Sequence, residues 1–286
     1  MSFNDPKGVA MTIDAAAPAK ILDSRPRKRS RWLAVYGSDT SISFAGFLLL
    51  ACLWELAVYL FKIPDYVLPA PSAIAMSLYH GIISGIFFYN FLVTAFQTLA
   101  GFFLAAIVGT ALGAVVAQFG IVERVVYPWL VALQTLPKIA IAPLIIIWAG
   151  YGIPSKIIIV ALVAIFPVLV NTIMGLKSCD QGKLDLMRSL GAGRWETFRT
   201  VRLPNALPFV FAGLNIAIVL AILGSIVGEF VGSKAGLGNM ILEANFQFDV
   251  ARIFAVLVIL GVFGVVLSQL MNAVQNHFLF WNKGLT

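Results

Sequence analysis

The stretch that decides the fold is Leu184-Asp-Leu-Met-Arg-Ser-Leu-Gly-Ala-Gly-Arg-Trp-Glu-Thr-Phe-Arg-Thr-Val-Arg-Leu-Pro204, a polar island between two long apolar runs. The runs, residues 153–176 and 204–231, are each long enough to cross a bilayer as a helix. Lipid cannot solvate the charged side chains of the island, so the island must project from the membrane. The sequence therefore predicts membrane helices joined by a polar segment that can meet a partner.

Composition supports a membrane protein. Of the 286 residues, 60% are hydrophobic and 12% are charged, whereas a soluble domain carries about 25% charged residues. The apolar runs have the length of membrane helices and not of the ~10-residue strands of an outer-membrane barrel. We therefore predict an all-α membrane protein. The two cysteines, Cys52 and Cys179, lack metal-ligand spacing and are predicted to be packing residues.

Six apolar runs are predicted to span the membrane, the first of them as an uncleaved anchor: residues 43–61, 91–119, 126–149, 153–176, 204–231 and 251–278. Residues 69–90 are interrupted by prolines and a histidine, so an interfacial helix is preferred there over a seventh span. Residues 232–250 are predicted to form a long loop. Residues 1–42 are predicted to be a mostly disordered basic tail, and residues 43–286 a single transmembrane domain with a polar connection at about 177–203.

The distribution of Lys and Arg predicts the orientation. Six spans place both termini on one side, and that side holds seven basic residues in the tail, Arg124, six between Lys177 and Arg202, and Lys283. The opposite side holds Lys62, Lys156, Lys234 and Arg252. The positive-inside rule then places the N-terminus, the C-terminus and the island in the cytoplasm. Topology thus accounts for the net charge of +7, and no nucleic-acid partner is predicted.

The island is predicted to fold as two short helices. Gly191 stands where a left-handed C-cap would end the first helix. The second helix would carry Trp195 and Phe198, and Pro204 suits the first turn of the next span. On these residues alone two interpretations stay open: an amphipathic loop on the lipid headgroups, or a helix-turn-helix knob that docks on a protein.

The island resembles the EAA loop of permease subunits of bacterial ABC importers. In that loop Glu-Ala-Ala is followed by a glycine and then by a hydrophobe-Leu-Pro sequence. Here Asp185-Leu-Met187 stands in the Glu-Ala-Ala place, Gly191 is the motif glycine, and Val201-Arg-Leu-Pro204 closes the motif. Within this class, Arg188-Ser-Leu-Gly-Ala-Gly-Arg-Trp195 is similar to the nitrate/sulfonate/taurine/bicarbonate group. Residues 185–187 depart from the family's Glu-Ala-Ala, and these departures affect how closely the loop fits its ATPase partner.

Four further stretches are similar to the same family, in the same order along the chain. They are Leu68-Pro-Ala-Pro-Ser72, Leu136-Pro-Lys-Ile-Ala-Ile-Ala-Pro143, Gly152-Ile-Pro-Ser-Lys156 and Gly228-Glu-Phe-Val-Gly-Ser-Lys-Ala-Gly-Leu-Gly238. The resemblance covers about residues 68–281. It implies the type I ABC importer permease fold in the bacterial inner membrane, with transport by alternating access.

The resemblance also implies partners and a coupling site. The expected assembly contains a second copy of the chain, two cytoplasmic ATP-binding subunits, an extracytoplasmic solute-binding protein and membrane lipid. The chain lacks a GxxxxGK[ST] motif and so has no P-loop of its own. The resemblance implies that ATP and Mg are bound by the partner subunit, and no cofactor or metal is expected on this chain. The residues expected to couple to the ATPase are Asp185, Arg188, Ser189, Leu190, Gly191, Ala192 and Gly193. Their expected scaffold is Trp195, Phe198 and Pro204.

Charged residues inside the predicted spans are costly and are therefore candidates for function. Lys138 could line the pathway and attract an anion, or it could bind carbonyls freed by prolines or pair with Glu229. Glu229 is expected to be a structural partner or a gate. Asn171 is a further pathway candidate, with interhelical hydrogen bonding as the commoner use. Glu55 receives no role, and no arrangement of catalytic residues is found.

The predicted function is import of a small anion such as a sulfonate, taurine, nitrate or bicarbonate. A non-anionic metabolite such as a pyrimidine vitamin precursor is the alternative within the same class. An ion-coupled secondary transporter would require repeat symmetry and more intramembrane acids than this sequence has. A membrane scaffold without transport would not need a knob with a glycine turn.

Overall fold

The computed structural model describes residues 39–280, and the regular elements found in that range are helices. Residues 1–38 of the predicted tail and Lys283 lie outside the described residues. The chain divides into two compact units at Leu50. The first contributes, among described residues, only the first half of helix α1 (Asp39–Phe61), which begins four residues before the predicted span.

The second unit contains the remainder of α1 and the helices that form the core. They are α2 (Pro71–Ile83), α3 (Ile86–Gln118), α4 (Gly120–Thr135), α5 (Ala142–Ala149), α6 (Ile153–Lys177), α7 (Gln181–Ser189), α8 (Arg194–Thr197), α9 (Leu203–Gly232), α10 (Leu237–Phe246) and α11 (Val250–Phe278). A 3₁₀ turn, Lys138–Ile141, precedes α5, and a π-helical turn, Phe198–Arg202, precedes α9.

Helices α3, α6 and α9 form the centre of the unit and approach each other at glycines. A Cβ atom on Gly101 of α3 would overlap the Val160 side chain of α6, and one on Gly113 would crowd Thr172. Gly213 of α9 similarly faces the Pro167 carbonyl of α6. Lipid provides no hydrophobic drive between helices, so close backbone approach at small residues is a main source of packing energy.

These contacts also give the directions of the helices. Gly101 meets Val160 and Gly113 meets Thr172, so α3 and α6 run in the same direction. The chain between them, residues 120–149, must therefore cross back. The crossing consists of α4 and α5 with a sharp bend between them, within the span predicted over 126–149, whose prolines were expected to break backbone hydrogen bonds. Leu136 and Pro137 interrupt the helix because Pro137 has no N–H to continue the hydrogen-bond ladder.

With the bent pair counted as one span, the described residues contain six candidate spans, as predicted. α2 has 13 residues, about 20 Å, and is too short to cross, so residues 69–90 hold no seventh span, and α3 begins at Ile86, inside that range. The prediction of a loop over 232–250 was wrong, because α10 occupies most of that range. The hydrophobic pattern missed α10 because the helix is short and begins after the flexible Gly236.

Candidate functional site

The polar island forms a knob at the end of the unit where α6 ends and α9 begins. Its first helix, α7, is capped by Asp180, whose carboxylate accepts a hydrogen bond from the Lys183 N–H at 3.1 Å. The helix ends at Gly191, which has φ +75°. The Ala192 N–H donates to the Met187 carbonyl at 3.0 Å and the Gly191 N–H to the Arg188 carbonyl at 2.9 Å. This is a Schellman C-cap and confirms the predicted role of Gly191 in the turn.

The second half of the knob joins the membrane helix without a break. α8 continues through the π-helical turn into α9, where Pro204 lies in the first turn as predicted. The Trp195 and Phe198 rings stack with centroids 5.6 Å apart. Trp195 nevertheless remains 72% exposed, so one face of its ring is open to a partner or to lipid.

The surface of the knob is mixed apolar and charged. Leu190 is 73% exposed and Leu186 is 59% exposed, whereas Leu184 is buried and holds α7 against its scaffold. Asp185 and Arg188, both predicted to contact the ATPase, form an ion pair with each other at 2.8 Å. Exposed leucines beside an exposed ion pair are typical of a surface that meets another protein.

The remaining predicted coupling residues lie in the same turn. The Ser189 hydroxyl donates to the Asp185 carbonyl at 3.0 Å. Ala192 is half-buried, and Gly193 is exposed as the residue before α8. The structure thus places residues 185–193 on one compact element.

Polar contacts that sequence analysis missed join the membrane helices at the base of the knob. Asn205 of α9 donates to the Ser178 hydroxyl at 3.0 Å, just beyond the end of α6. Lys177, the last residue of α6, forms an ion pair with Glu123 of α4. A polar side chain in the first turn of an apolar span was the available signal for Asn205. These contacts join α6 to α9 and to α4 at the base of the knob.

At the opposite end of the same helices, three side chains hold the start of α10. The N–H groups of Gly236, Leu237 and Gly238 donate in turn to Asn90 Oδ1 (2.7 Å), Thr94 Oγ1 (2.8 Å) and Glu229 Oε2 (2.6 Å). The Thr94 hydroxyl donates to Glu229 Oε1 at 2.8 Å. We call this group, with Lys156, the α10 clamp. It satisfies N–H groups that a helix leaves unpaired at its start.

Lys156 supplies the positive charge of the α10 clamp. Lys156 is 2% exposed, its Nζ donates to the Gly232 carbonyl at 2.5 Å, and its stem packs against Gly228, the neighbour of the fully buried Glu229. Sequence analysis placed Lys156 in the connection before the span. The structure shows it inside, and the pairing of Glu229 with Lys138 was therefore wrong. The signal for Lys156 was its position four residues after Gly152, within the first turn of an apolar helix.

Lys138 lies instead at the break between α4 and α5. Its Nζ is 3.5 Å from the Gln134 carbonyl, which the end of α4 leaves without a helical donor, and 4.5 Å from the centre of the Phe166 ring. Asn171 donates to the Pro167 carbonyl of its own helix at 2.8 Å. These contacts, like the enclosed carboxylate of Glu229, favour the structural alternatives over pathway roles.

Glu55 also acquires a role. Its carboxylate accepts from the Ser72 N–H at 3.0 Å and from the Ser72 hydroxyl at 2.7 Å, so α1 supplies the N-terminal cap of α2. Within residues 39–280, no group of His, Cys, Asp and Glu side chains is arranged to hold a metal ion.

Comparison with known proteins agrees with this architecture. Residues 105–280 match the family described as binding-protein-dependent transport system inner membrane component. The chain is 35% identical to the formylaminopyrimidine transport permease ThiX of Halalkalibacterium halodurans, over 83% of this chain and 94% of ThiX. It is 35% identical to the riboflavin permease RibX of Chloroflexus aurantiacus, over 82% of this chain and 87% of RibX.

More distant relatives extend the same pattern. The chain is 30% identical to a putative aliphatic sulfonates permease, SsuC of Bacillus subtilis, over 81% of this chain and 84% of SsuC. An inward-facing crystal form of the MetNI methionine ABC transporter superposes with a TM-score of 0.61 at 18% identity, covering 68% of this chain and 97% of the other. The fold is thus that of type I ABC importer permeases. On the family match and these relatives, the chain belongs to the inner membrane permease components of binding-protein-dependent ABC importers.

Proposed function

We propose that this permease subunit moves its solute by alternating access, and that residues 185–193 of the knob receive the force from a separate ATPase. The observation that carries this proposal is the attachment of the knob to two helices that are joined at its base. The knob follows α6 in the chain and continues into α9 through Pro204, and Asn205 of α9 is hydrogen-bonded to Ser178 at the end of α6. α6 and α9 pack against each other along their length, so a push on the knob moves both helices as one body.

In the proposed assembly, two copies of the chain form the pathway and two cytoplasmic ATPase subunits hold ATP and Mg. An extracytoplasmic binding protein delivers the solute. The Leu186 and Leu190 side chains would enter a groove on the ATPase, while the Asp185–Arg188 pair would lie at its rim. The positive-inside distribution supports a cytoplasmic position for the knob and for both termini. Closure of the ATPases can bias the permease only by contacts that differ between its two states.

The cargo is a small organic solute. The two relatives at 35% identity are named for formylaminopyrimidine and riboflavin, and the sulfonate permease is at 30%. We infer that a heterocyclic metabolite fits better than nitrate, bicarbonate or a sulfonate. The geometry of Lys138 supports this choice, because its ammonium group is engaged by the Gln134 carbonyl and the Phe166 ring.

The coupling proposal is tested by Gly191→Asp and Gly191→Pro in proteoliposomes that contain the ATPase and the binding protein. A Cβ atom at Gly191 meets no atom within 4 Å, so aspartate fits the isolated chain at a backbone cost of about 1–2 kcal/mol. We expect normal insertion and dimerisation but loss of transport. Gly85→Asp is the matched control, since Gly85 also has a positive φ of +73° and an open site but lies outside the knob. Normal solute-stimulated ATP hydrolysis by Gly191→Asp would contradict the proposal.

The cargo is tested separately. The associated binding protein is purified and screened against flavins, pyrimidines, sulfonates, nitrate and bicarbonate. Lys138→Met is then compared with the unaltered permease for transport of the solute identified. An anion as cargo, with a lower apparent affinity in Lys138→Met, would restore the anion-attracting role of Lys138 and overturn the heterocycle proposal.

A further inference from the structure

A cavity of about 560 Å³ lies under the knob, between it and the end of α3. Its lining includes Arg188, Arg194 and Arg202 from the knob and Gln118 and Phe119 from the end of α3. Among the described residues that line it, none is acidic. Such a concentration of guanidinium groups around a cavity attracts an anion of matching size.

Two of the three arginines have no carboxylate partner. Arg188 is paired with Asp185. No ion pair involves Arg194 or Arg202 in the part of the chain that the structure describes. Their forked donors suit the oxygens of a phosphate or a carboxylate. The cavity therefore presents two uncompensated positive charges, and Thr197 adds a hydroxyl group to its wall.

The position of the cavity indicates the source of the anion. α9 has 30 residues and is about 45 Å long, which matches a bilayer including both headgroup layers, about 40–45 Å. Arg202 directly precedes α9, so it stands at one end of this bilayer-length helix. Phe119, 56% exposed, gives the cavity an apolar wall beside the charged one. A lipid headgroup joined to acyl chains has this same combination of charge and apolar surface.

We propose that this cavity binds the phosphodiester group of an anionic phospholipid, with Arg194 and Arg202 as the main ligands. The bound lipid fills the space between the knob and α3, and so stiffens the link through which the knob moves the spans. Leu186, Leu190 and Asp185, which are proposed to meet the ATPase, do not line the cavity, and Arg188 is shared between the two surfaces. Basic pockets between membrane helices are a known form of headgroup recognition.

The test measures binding of radiolabelled phosphatidylglycerol to the immobilised full-length protein in a neutral detergent. Each of Arg194→Gln and Arg202→Gln is expected to weaken binding about fivefold, and the pair about 25-fold. The matched control is Lys183→Gln with Arg199→Gln, which removes two exposed charges from the same segment outside the cavity. We expect binding by the control to stay within about twofold, given that these charges do not line the site.

Competition separates the sources of the phosphate. Unlabelled phosphatidylglycerol should displace the label, whereas phosphatidylcholine and excess inorganic phosphate should not. Displacement by inorganic phosphate would assign the cavity to a soluble anion and overturn the lipid proposal. An equal loss in the control pair would show diffuse charge attraction and would overturn it as well. The single variants, checked by size-exclusion chromatography and thermal unfolding, keep the test valid if the double variant does not fold.

Discussion

Removal of the negative charge from the α10 clamp should show how strongly the stability of this end of the permease depends on buried charge. In Glu229→Gln the carboxylate that faces Thr94, Gly238 and Lys156 becomes an amide. The amide offers an acceptor at only one of the two oxygen positions, so one of these hydrogen bonds is lost, and Lys156 keeps its charge in a site where it is 2% exposed. Removing the negative charge near such a buried cation costs about 3–5 kcal/mol.

The assay is a double-mutant cycle on the stability of the purified permease, with Glu229→Gln, Lys156→Met and the two combined. Each single variant should be destabilised by about 3 kcal/mol. The combined variant should lose about 2 kcal/mol less stability than the sum of the two single losses, because it leaves neither charge buried without its partner. Additive losses, within about 0.5 kcal/mol, would show that the two side chains do not interact. That result would refute the assignment of Lys156 as the partner of Glu229.

Other substitutions test the packing, the knob attachment and the α2 cap. Gly101→Val should destabilise the protein by about 1–3 kcal/mol in thermal unfolding, because Val160 of α6 already fills the space beside Gly101 of α3. Gly261→Val on α11 is the control and should have little effect, because its side chain meets open space. Asn205→Leu should leave the ATPase bound but lower the solute transported per ATP hydrolysed, and an unchanged ratio would argue against the Asn205 tie. Glu55→Ala should lower stability by about 1 kcal/mol because α2 loses its N-terminal cap. The loss should appear as faster hydrogen exchange in the first turn of α2, and unchanged exchange would show that another group caps Ser72.

The long helices could be predicted because a 20-residue apolar run has few alternatives in a bilayer. The C-cap at Gly191 was equally accessible, because glycine after an amphipathic turn is a local signal. The break at Pro137 was foreseen only as a loss of hydrogen bonds. Its consequence, two helices at a sharp angle, depends on the packing of α3 and α6 in the same direction, which no local pattern encodes.

The α10 clamp was beyond prediction for a related reason. Glu229 and Lys156 are 73 positions apart, and the choice between Lys138 and Lys156 as partner is made by the packing of α6 against α9. Gly236-Leu-Gly238, which the sequence placed in a long loop and in a stretch similar to the family, proves to be where three N–H groups meet three side chains. A Cβ atom on Gly236 would overlap the Glu229 carboxyl group, which explains a glycine at this position. Long-range pairing of this kind becomes visible only when the helices are placed.

The π-helical turn at Phe198–Arg202 fixes the rotational phase of the knob. The Leu203 N–H donates to the Phe198 carbonyl, five residues back, so the turn holds one residue more than an α-helix would. An α-helix advances about 100° per residue. The π-helical turn takes up this extra residue over nearly the same rotation as a regular α-helical turn, so deletion of one residue here would leave α8, and the stacked Trp195, at nearly the same angle around the axis of α9. Regular α-helical winding with every residue kept would instead swing α8 by about 100°. The direction in which this permease offers its knob thus depends on the π-helical winding of this turn.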